Sequence, residues 1–313
     1  MKSKHKNTLE QKRIALIGCG IWGRKILRDL LTLEVEVHVF DTNTHLAHEI
    51  LSAGAASFQP GLPTTKGNYT AFVVATPSAT HRVVMERILP LGRPIFLEKP
   101  LTTSYEDALA LEKIVHDQVF LMHVWLYHPG IRLLSDIANN QELGEVLGIR
   151  STRANWTSPR RDTDSIWNLA PHDITITRAI LGYLPEPIAA SIEEHDGIVR
   201  GLVAILGRKP YSIFEVSNRY ERKIREVRLH CTNGVAVLKD EKVNYIEITH
   251  GNADSRPDEI RVERRQFASS PPLLLELRSF LEYLDGGPAP ISSFADGMRV
   301  IQTIHALTKL ATG

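Results

Sequence analysis

The segment Arg13-Ile-Ala-Leu-Ile-Gly18-Cys-Gly20-Ile-Trp-Gly23 constrains this chain more than any other. A short apolar run, Ile14 to Ile17, meets three glycines spaced as GxGxxG, and an amphipathic stretch follows from Ile21 to about Leu33. In a strand that turns into a helix, Gly18 permits the tight turn, Gly20 lets backbone approach a pyrophosphate, and Gly23 allows the helix to pack closely on the strand. The helix N-terminus, at Ile21 and Trp22, favours the anion. A second apolar run, Val35 to Phe40, ends in Asp41, about 20 residues beyond the glycines, where a carboxylate can accept hydrogen bonds from the adenosine ribose. Asp41 also suits capping of the next helix, and the two roles are compatible. A carboxylate repels a 2′-phosphate, and no arginine stands beside Thr42, Asn43 or Thr44, so NAD is expected over NADP.

Further apolar runs at Ala71–Ala75, Pro94–Leu97 and Val119–Val124 alternate with amphipathic stretches near 44–53, 80–89 and 104–116. That rhythm predicts a parallel, doubly wound sheet of the Rossmann type, its strands covered on both faces. Thr80 and Ser104 stand where N-caps are expected. Beyond Trp125 the texture changes. Helical patterns at 131–138 and 174–181 are followed by strand-like segments at 146–154, 202–206, 212–216, 227–230, 235–238 and 244–249. Closely spaced strands predict an α+β domain with a largely antiparallel open sheet, closed by helices at 272–284 and 295–311. The expected division is a loose tail at 1–12, a dinucleotide-binding domain at 13–125 and a substrate-binding, subunit-pairing domain at 126–313.

Composition narrows the function classes. Lys and Arg total 37 against 36 Asp and Glu, so no global field exists for gripping nucleic acid or an anionic membrane. No apolar run approaches the ~18 residues of a membrane span, and Met1 to Lys12 lacks a signal-peptide core. Cys19 and Cys231 are far apart and outside any CxxC pattern, which fits a reducing cytoplasm; Cys19 reads as a small residue filling the turn. No HExxH or CxxC pattern frames the 13 histidines, so no catalytic metal is expected, and the absence of GxSxG leaves serine hydrolysis without local support.

Three further motifs join the glycine loop: Ala75-Thr76-Pro77 with His81, Glu98-Lys99-Pro100, and His123 to Pro129 leading into Asn168-Leu-Ala-Pro-His172-Asp173. Together they resemble the glucose-fructose oxidoreductase, inositol dehydrogenase and rhizopine-catabolism family, Gfo/Idh/MocA. Within it, the motifs around Leu126-Tyr127-His128 and Trp167 look most like members of nucleotide-sugar pathways. The resemblance implies an NAD(P)-dependent oxidoreductase that interconverts a secondary hydroxyl and a ketone on a sugar or nucleotide-sugar. It implies a dinucleotide held by the glycine loop with Asp41, Thr76, Pro77, His81, Glu98 and Lys99, and a homodimer or homotetramer paired through the C-terminal sheet.

Lys99 is delivered to the carboxyl edge of the sheet, where ligands of doubly wound folds bind. The resemblance implies that it lies beside the nicotinamide and stabilises the reacting oxygen, opposite His172 as general base. Many relatives carry an aspartate one turn before that histidine. This chain has Asn168, which hydrogen-bonds but carries no charge. Asp173 compensates only if its side chain turns the same way. The stretch 150–167, with Arg150, Arg153, Arg160, Arg161, Trp156 and Trp167, has the guanidinium and indole groups that suit an anionic sugar, and Tyr127 is expected to line the same cleft. A rival reading is a non-catalytic dinucleotide- or sugar-binding regulator on the same fold, favoured by Asn168 and opposed by the presence of both Lys99 and His172.

Overall fold

The structure, a computed structural model, describes residues 11–115, 117–157 and 163–313. The expected tail, apart from its last two residues, and Pro159, Arg160 and Arg161 of the basic loop lie outside the described residues, as does His116 at the end of one expected helix.

The first unit runs β1 (Arg13–Ile17), α1 (Ile21–Thr32), β2 (Glu36–Asp41), α2 (Ala47–Ser52), β3 (Ser57–Pro60), β4 (Ala71–Val74), α3 (His81–Ile88), β5 (Ile95–Glu98), α4 (Tyr105–Glu112) and β6 (Val119–Met122). Its six strands are parallel in the order β3-β2-β1-β4-β5-β6. Strand order reverses between β1 and β4, so a crevice opens at their carboxyl ends, where the glycine loop emerges. Alternation splits each strand between two cores. Ile14 and Leu16 face α1, whereas Ala15 and Ile17 face α3 and α4. β3 was not expected: only Phe58 is apolar in Ser57-Phe-Gln-Pro60, as suits a short edge strand. Ser104 caps α4 by accepting from Asp107 N–H; Thr80 does not cap α3, because its hydroxyl donates to Pro77 O at 2.7 Å.

The second unit comprises a short 3-10 turn (Val124–Tyr127), α5 (Pro129–Asn139), β7 (Val146–Ala154), α6 (Ser165–Leu181), β8 (Pro187–His195), β9 (Ile198–Leu206), β10 (Tyr211–Ser217), β11 (Ile224–Cys231), β12 (Gly234–Leu238), β13 (Tyr245–His250), β14 (Arg261–Gln266), α7 (Pro272–Leu284) and α8 (Phe294–Thr312). Its eight strands order as β14-β13-β12-β11-β7-β10-β9-β8, with β7 and β10 parallel and the other neighbours antiparallel. The edge strands β8 and β14 escape sequence reading because they carry charge and little alternation, a pattern that also protects free edges.

Two departures matter for the site. α6 begins at Ser165, nine residues before the sequence signal, because Asp164 caps it by accepting from Trp167 N–H at 3.1 Å. Pro171, which argues against a helix there, is accommodated within α6. In addition, the last two helices return to the first sheet. Leu273, Leu277 and Phe280 of α7 join the α1-side core, and Met298 and Ile301 of α8 join the opposite one.

Candidate active site

The three glycines play separable roles. Gly18 has φ +87°, and a Cβ there would lie 2.8 Å from the Ala75 carbonyl carbon and Thr76 N, so β4 closes on the turn. A Cβ on Gly23 would collide with the Gly18 carbonyl oxygen, so α1 packs against its own turn. At Gly20 a Cβ would meet nothing within 4 Å. Protein packing therefore does not require glycine at 20, whereas the backbone approach of a pyrophosphate does. Ile21, at the start of α1, is 73% exposed beside that open ground. Asp41 Oδ2 accepts from Cys19 N–H at 2.7 Å and Oδ1 from Asn43 N–H at 2.8 Å. The carboxylate thus ties the glycine turn to the end of β2. These features fit a dinucleotide. Cys19 is buried and its thiol is pushed up to about 11, first by burial and then by Asp41, so it is not a reactive thiol.

Thr76 and Pro77 follow β4 at the same edge, Thr76 partly buried and Pro77 exposed. His81 is fully buried: Nδ1 lies 2.8 Å from Pro100 O and Nε2 3.1 Å from Thr76 O. It joins the Thr76 turn to the Glu98-Lys99-Pro100 turn, a supporting position rather than one open to a ligand. Glu98 is also buried, on the α7 side of β5. The Lys99–Pro100 peptide is cis.

Lys99 and the Asn168–His172 turn of α6 meet across the two units. Lys99 Nζ donates to Asn168 O at 2.8 Å and lies 3.4 Å from Asn168 Oδ1. His172, one turn further along the same helix, is partly buried, and its Nδ1 is enclosed without a hydrogen-bond partner among the described residues. Burial holds its imidazole well below the ordinary range, and Lys99, Arg153, His123 and Arg225 push the same way. Asp173 gives it no help: it is buried, and its Oδ2 accepts from Arg153 Nε at 2.7 Å. His123, which leads out of β6, is also buried, pushed down to about 3 by desolvation, with Nδ1 2.6 Å from Ser292 Oγ.

Two residues expected to line the substrate cleft are framework instead. Arg153 is 1% exposed, paired with Asp173 and stacked on Trp125 with its guanidinium carbon 4.2 Å from the ring centre. Tyr127 is 2% exposed; its hydroxyl accepts from Ile291 N–H at 3.2 Å and contacts Ser279 Oγ. An arginine inside a β-branched run and a tyrosine beside His-Pro look the same in sequence whether buried or open. Trp167 is partly buried in the first turn of α6, packed against both the first-sheet core and the second-sheet core. Trp156, by contrast, is 65% exposed just beyond β7. Arg225 had no sequence signal and supports this loop, donating to Ala154 O at 2.8 Å and Asn155 Oδ1 at 2.7 Å. Among the described residues no group of three His, Cys, Asp or Glu side chains could hold a metal, and no helix is long and apolar enough to cross a membrane.

A doubly wound sheet opening with a glycine loop, joined to an open-faced second sheet, defines a two-unit architecture of the Rossmann type. Residues 12–124 match the Gfo/Idh/MocA family model, described as oxidoreductase family, NAD-binding Rossmann fold. UDP-N-acetylglucosamine 3-dehydrogenase of Acidithiobacillus ferrooxidans is 26% identical over 182 residues, 57% of this chain and 57% of that one. The match therefore spans little more than half the length of that curated relative. Inositol 2-dehydrogenase of Rhizobium meliloti is 22% identical over 262 residues, 76% of this chain and 77% of that one. In structure, the same Acidithiobacillus enzyme superposes with a TM-score of 0.82 at 23% identity, covering 97% of this chain and 99% of that one. Levoglucosan dehydrogenase in complex with NADH gives 0.84 at 16% identity, covering 96% and 97%.

Proposed function

We propose that this protein is a nicotinamide-dependent dehydrogenase that interconverts a secondary hydroxyl and a ketone on a sugar or nucleotide-sugar, with NAD preferred to NADP. The observation that carries the reading is the meeting of the Lys99 ammonium with the Asn168–His172 turn, 2.8 Å from Asn168 O, at the carboxyl edge of a sheet whose glycine loop fits a pyrophosphate. Kinship with sugar and inositol dehydrogenases supplies the substrate class.

When bound, the nicotinamide accepts or returns the hydride of the reacting carbon. Gly18, Gly20, Ile21, Trp22 and Gly23 would hold the pyrophosphate side, Asp41 the adenosine ribose, and Thr76, Pro77, Glu98 and Lys99 the nicotinamide side. His81 acts behind them as a brace. Asp41 favours NAD because its charge opposes a 2′-phosphate, and Arg24, the first cation of α1, is already engaged by Glu49. Lys99 stabilises negative charge on the reacting oxygen. His172 stays neutral through the physiological range because it is buried among cations, so its ring can accept the hydroxyl proton. Asn168 orients without adding charge. Trp156 offers an indole face to a sugar ring. The face of the second sheet turned away from α5, α6 and α8 carries the exposed Val203 and Val262, which suits pairing of two copies about a twofold axis.

Turnover of a panel of inositols, free sugars and UDP-sugars with NAD, by wild type, Lys99→Ala and His172→Ala, tests this reading. One substrate turned over only when both residues are intact is the expected result. Equal turnover by the variants, or normal NADH binding with no turnover of any panel member in either direction, would contradict it.

A further inference from the structure

Glu276, on α7, has no exposed surface, and among the described residues neither of its carboxyl oxygens has a hydrogen-bond partner. A carboxylate left ionised in such a place, with no cation or N–H donor, is among the costliest arrangements a protein interior can hold. Nothing in the chemistry assigned to Lys99 and His172 uses it.

The packing of α7 shows what Glu276 faces. Lys12, just before β1, pairs with Asp285 at the end of α7 at 2.6 Å, so the C-terminus of α7 lies at the amino edge of the first sheet and the helix runs antiparallel to the strands. Midway, Phe280 stacks on Phe96 of β5 with ring centres 4.7 Å apart. Two residues further along β5 is Glu98, about 6.6 Å nearer the carboxyl edge and on the same strand face. One turn earlier in α7 is Glu276, about 6 Å in the same direction. Glu98 and Glu276 therefore stand at matching depth on the facing strand and helix, beside the core layer that holds Leu277 and Phe280, and close enough for the charge of one to act on the other. Glu98 is itself buried, and its charge is the one that acts on Glu276. From the 124–127 turn the neighbouring titratable group is the Tyr127 phenol, which feels Glu276 as a further source of negative potential. Among the described residues no cation opposes either effect on Glu276.

We propose that Glu276 is held as the neutral acid and donates a hydrogen bond to the Glu98 carboxylate, making it a positioning residue for the Glu98-Lys99-Pro100 turn. Two facing buried carboxyls that share one proton satisfy each other and carry a single charge. Glu98 is then fixed from the core side while Lys99, the next residue, reaches Asn168 on the other unit. The positioning part rests on the role proposed for Lys99; the shared proton does not.

Infrared difference spectra in H2O and D2O of the full chain, near neutral pH, test the pair without substrate or cofactor. The C=O stretch of a protonated carboxyl should appear in wild type and vanish in Glu276→Gln. An unchanged spectrum in Glu276→Gln, or no such band in wild type, would overturn the proposal. The second arm is NADH titration of wild type, Glu276→Gln and Glu276→Ala, with thermal melts confirming that each is folded. Glutamine keeps an N–H donor to Glu98 and should bind NADH within a few-fold of wild type, whereas alanine should weaken binding roughly tenfold. Equal weakening by both would overturn the positioning role. Failure of wild type to bind NADH would sink the functional reading while the infrared arm still decides the pair.

Discussion

Lys99 donates a hydrogen bond from its ammonium to the Asn168 backbone carbonyl at 2.8 Å, so the side chain proposed to act on the reacting oxygen is anchored by the second unit. The anchor makes the amine a fixed charge rather than a mobile surface one. Lys99→Ala should lower kcat/KM roughly 10²–10³-fold, and Lys99→Arg should recover little, because the planar guanidinium reaches different positions. Steady-state kinetics beside NADH titration decide it: a loss confined to NADH affinity would count against a role for Lys99 in the chemical step.

With Asn168 in place of an acid, no carboxylate among the described residues acts on His172. An Asn168→Asp substitution places a carboxylate one turn from the imidazole, and an added negative charge raises a histidine's pKa. Activity that needs neutral His172 is lost as pH falls through that pKa. The acid limb of kcat/KM should therefore move upward by roughly one pH unit in Asn168→Asp. A limb that stays in place would show that His172 is not the titrating base.

The glycine loop separates packing from binding. Gly23→Ala drives a methyl group into the Gly18 carbonyl and should lower stability by about 1–3 kcal/mol. Gly20→Ala meets no atom of the described residues within 4 Å, so the melting temperature should hold while NADH affinity drops roughly tenfold or more. Intact NADH binding by a folded Gly20→Ala protein would mean that the pyrophosphate does not rest there.

Burial of His123 couples folding to acid. Its imidazole titrates at about 3 when folded against an ordinary 6.5, so the unfolded chain binds the proton first and stability falls as pH drops from 6.5 toward 3. By pH 5 the loss from this one group is about 2 kcal/mol. Urea unfolding at pH 7 and pH 5 should show a smaller acid penalty in His123→Gln than in wild type. Equal penalties would assign the acid sensitivity elsewhere, His172 being the next group of the same sign.

Local rules made the first sheet legible. β1, β4 and β5 are apolar because both faces are covered, and Gly18, Gly20, Gly23 and Asp41 stand at offsets that only a strand-turn-helix explains. The Lys99 edge position followed from strand direction. What sequence could not show is set by long-range packing. α6 runs through Pro171 because Asp164 caps it and its apolar face is held by the second sheet. Arg153 looked like a ligand for anions because nothing local reveals that Asp173, 20 residues on, takes its guanidinium in the core. Tyr127 and Glu276 depend on the return of α7 to the first sheet, a contact between segments about 150 residues apart in the case of Tyr127 and Ser279. Edge strands β8 and β14 were hidden by the charges that keep them from pairing further.

The most direct test of a nicotinamide-dependent oxidoreductase is calorimetric titration of the full chain with NADH and with NADPH. Saturable binding of NADH, at least tenfold tighter than NADPH, is the expected result, with the preference narrowing in Asp41→Ala. Tighter NADPH binding would contradict the role given to Asp41, and binding of neither dinucleotide would contradict the function itself.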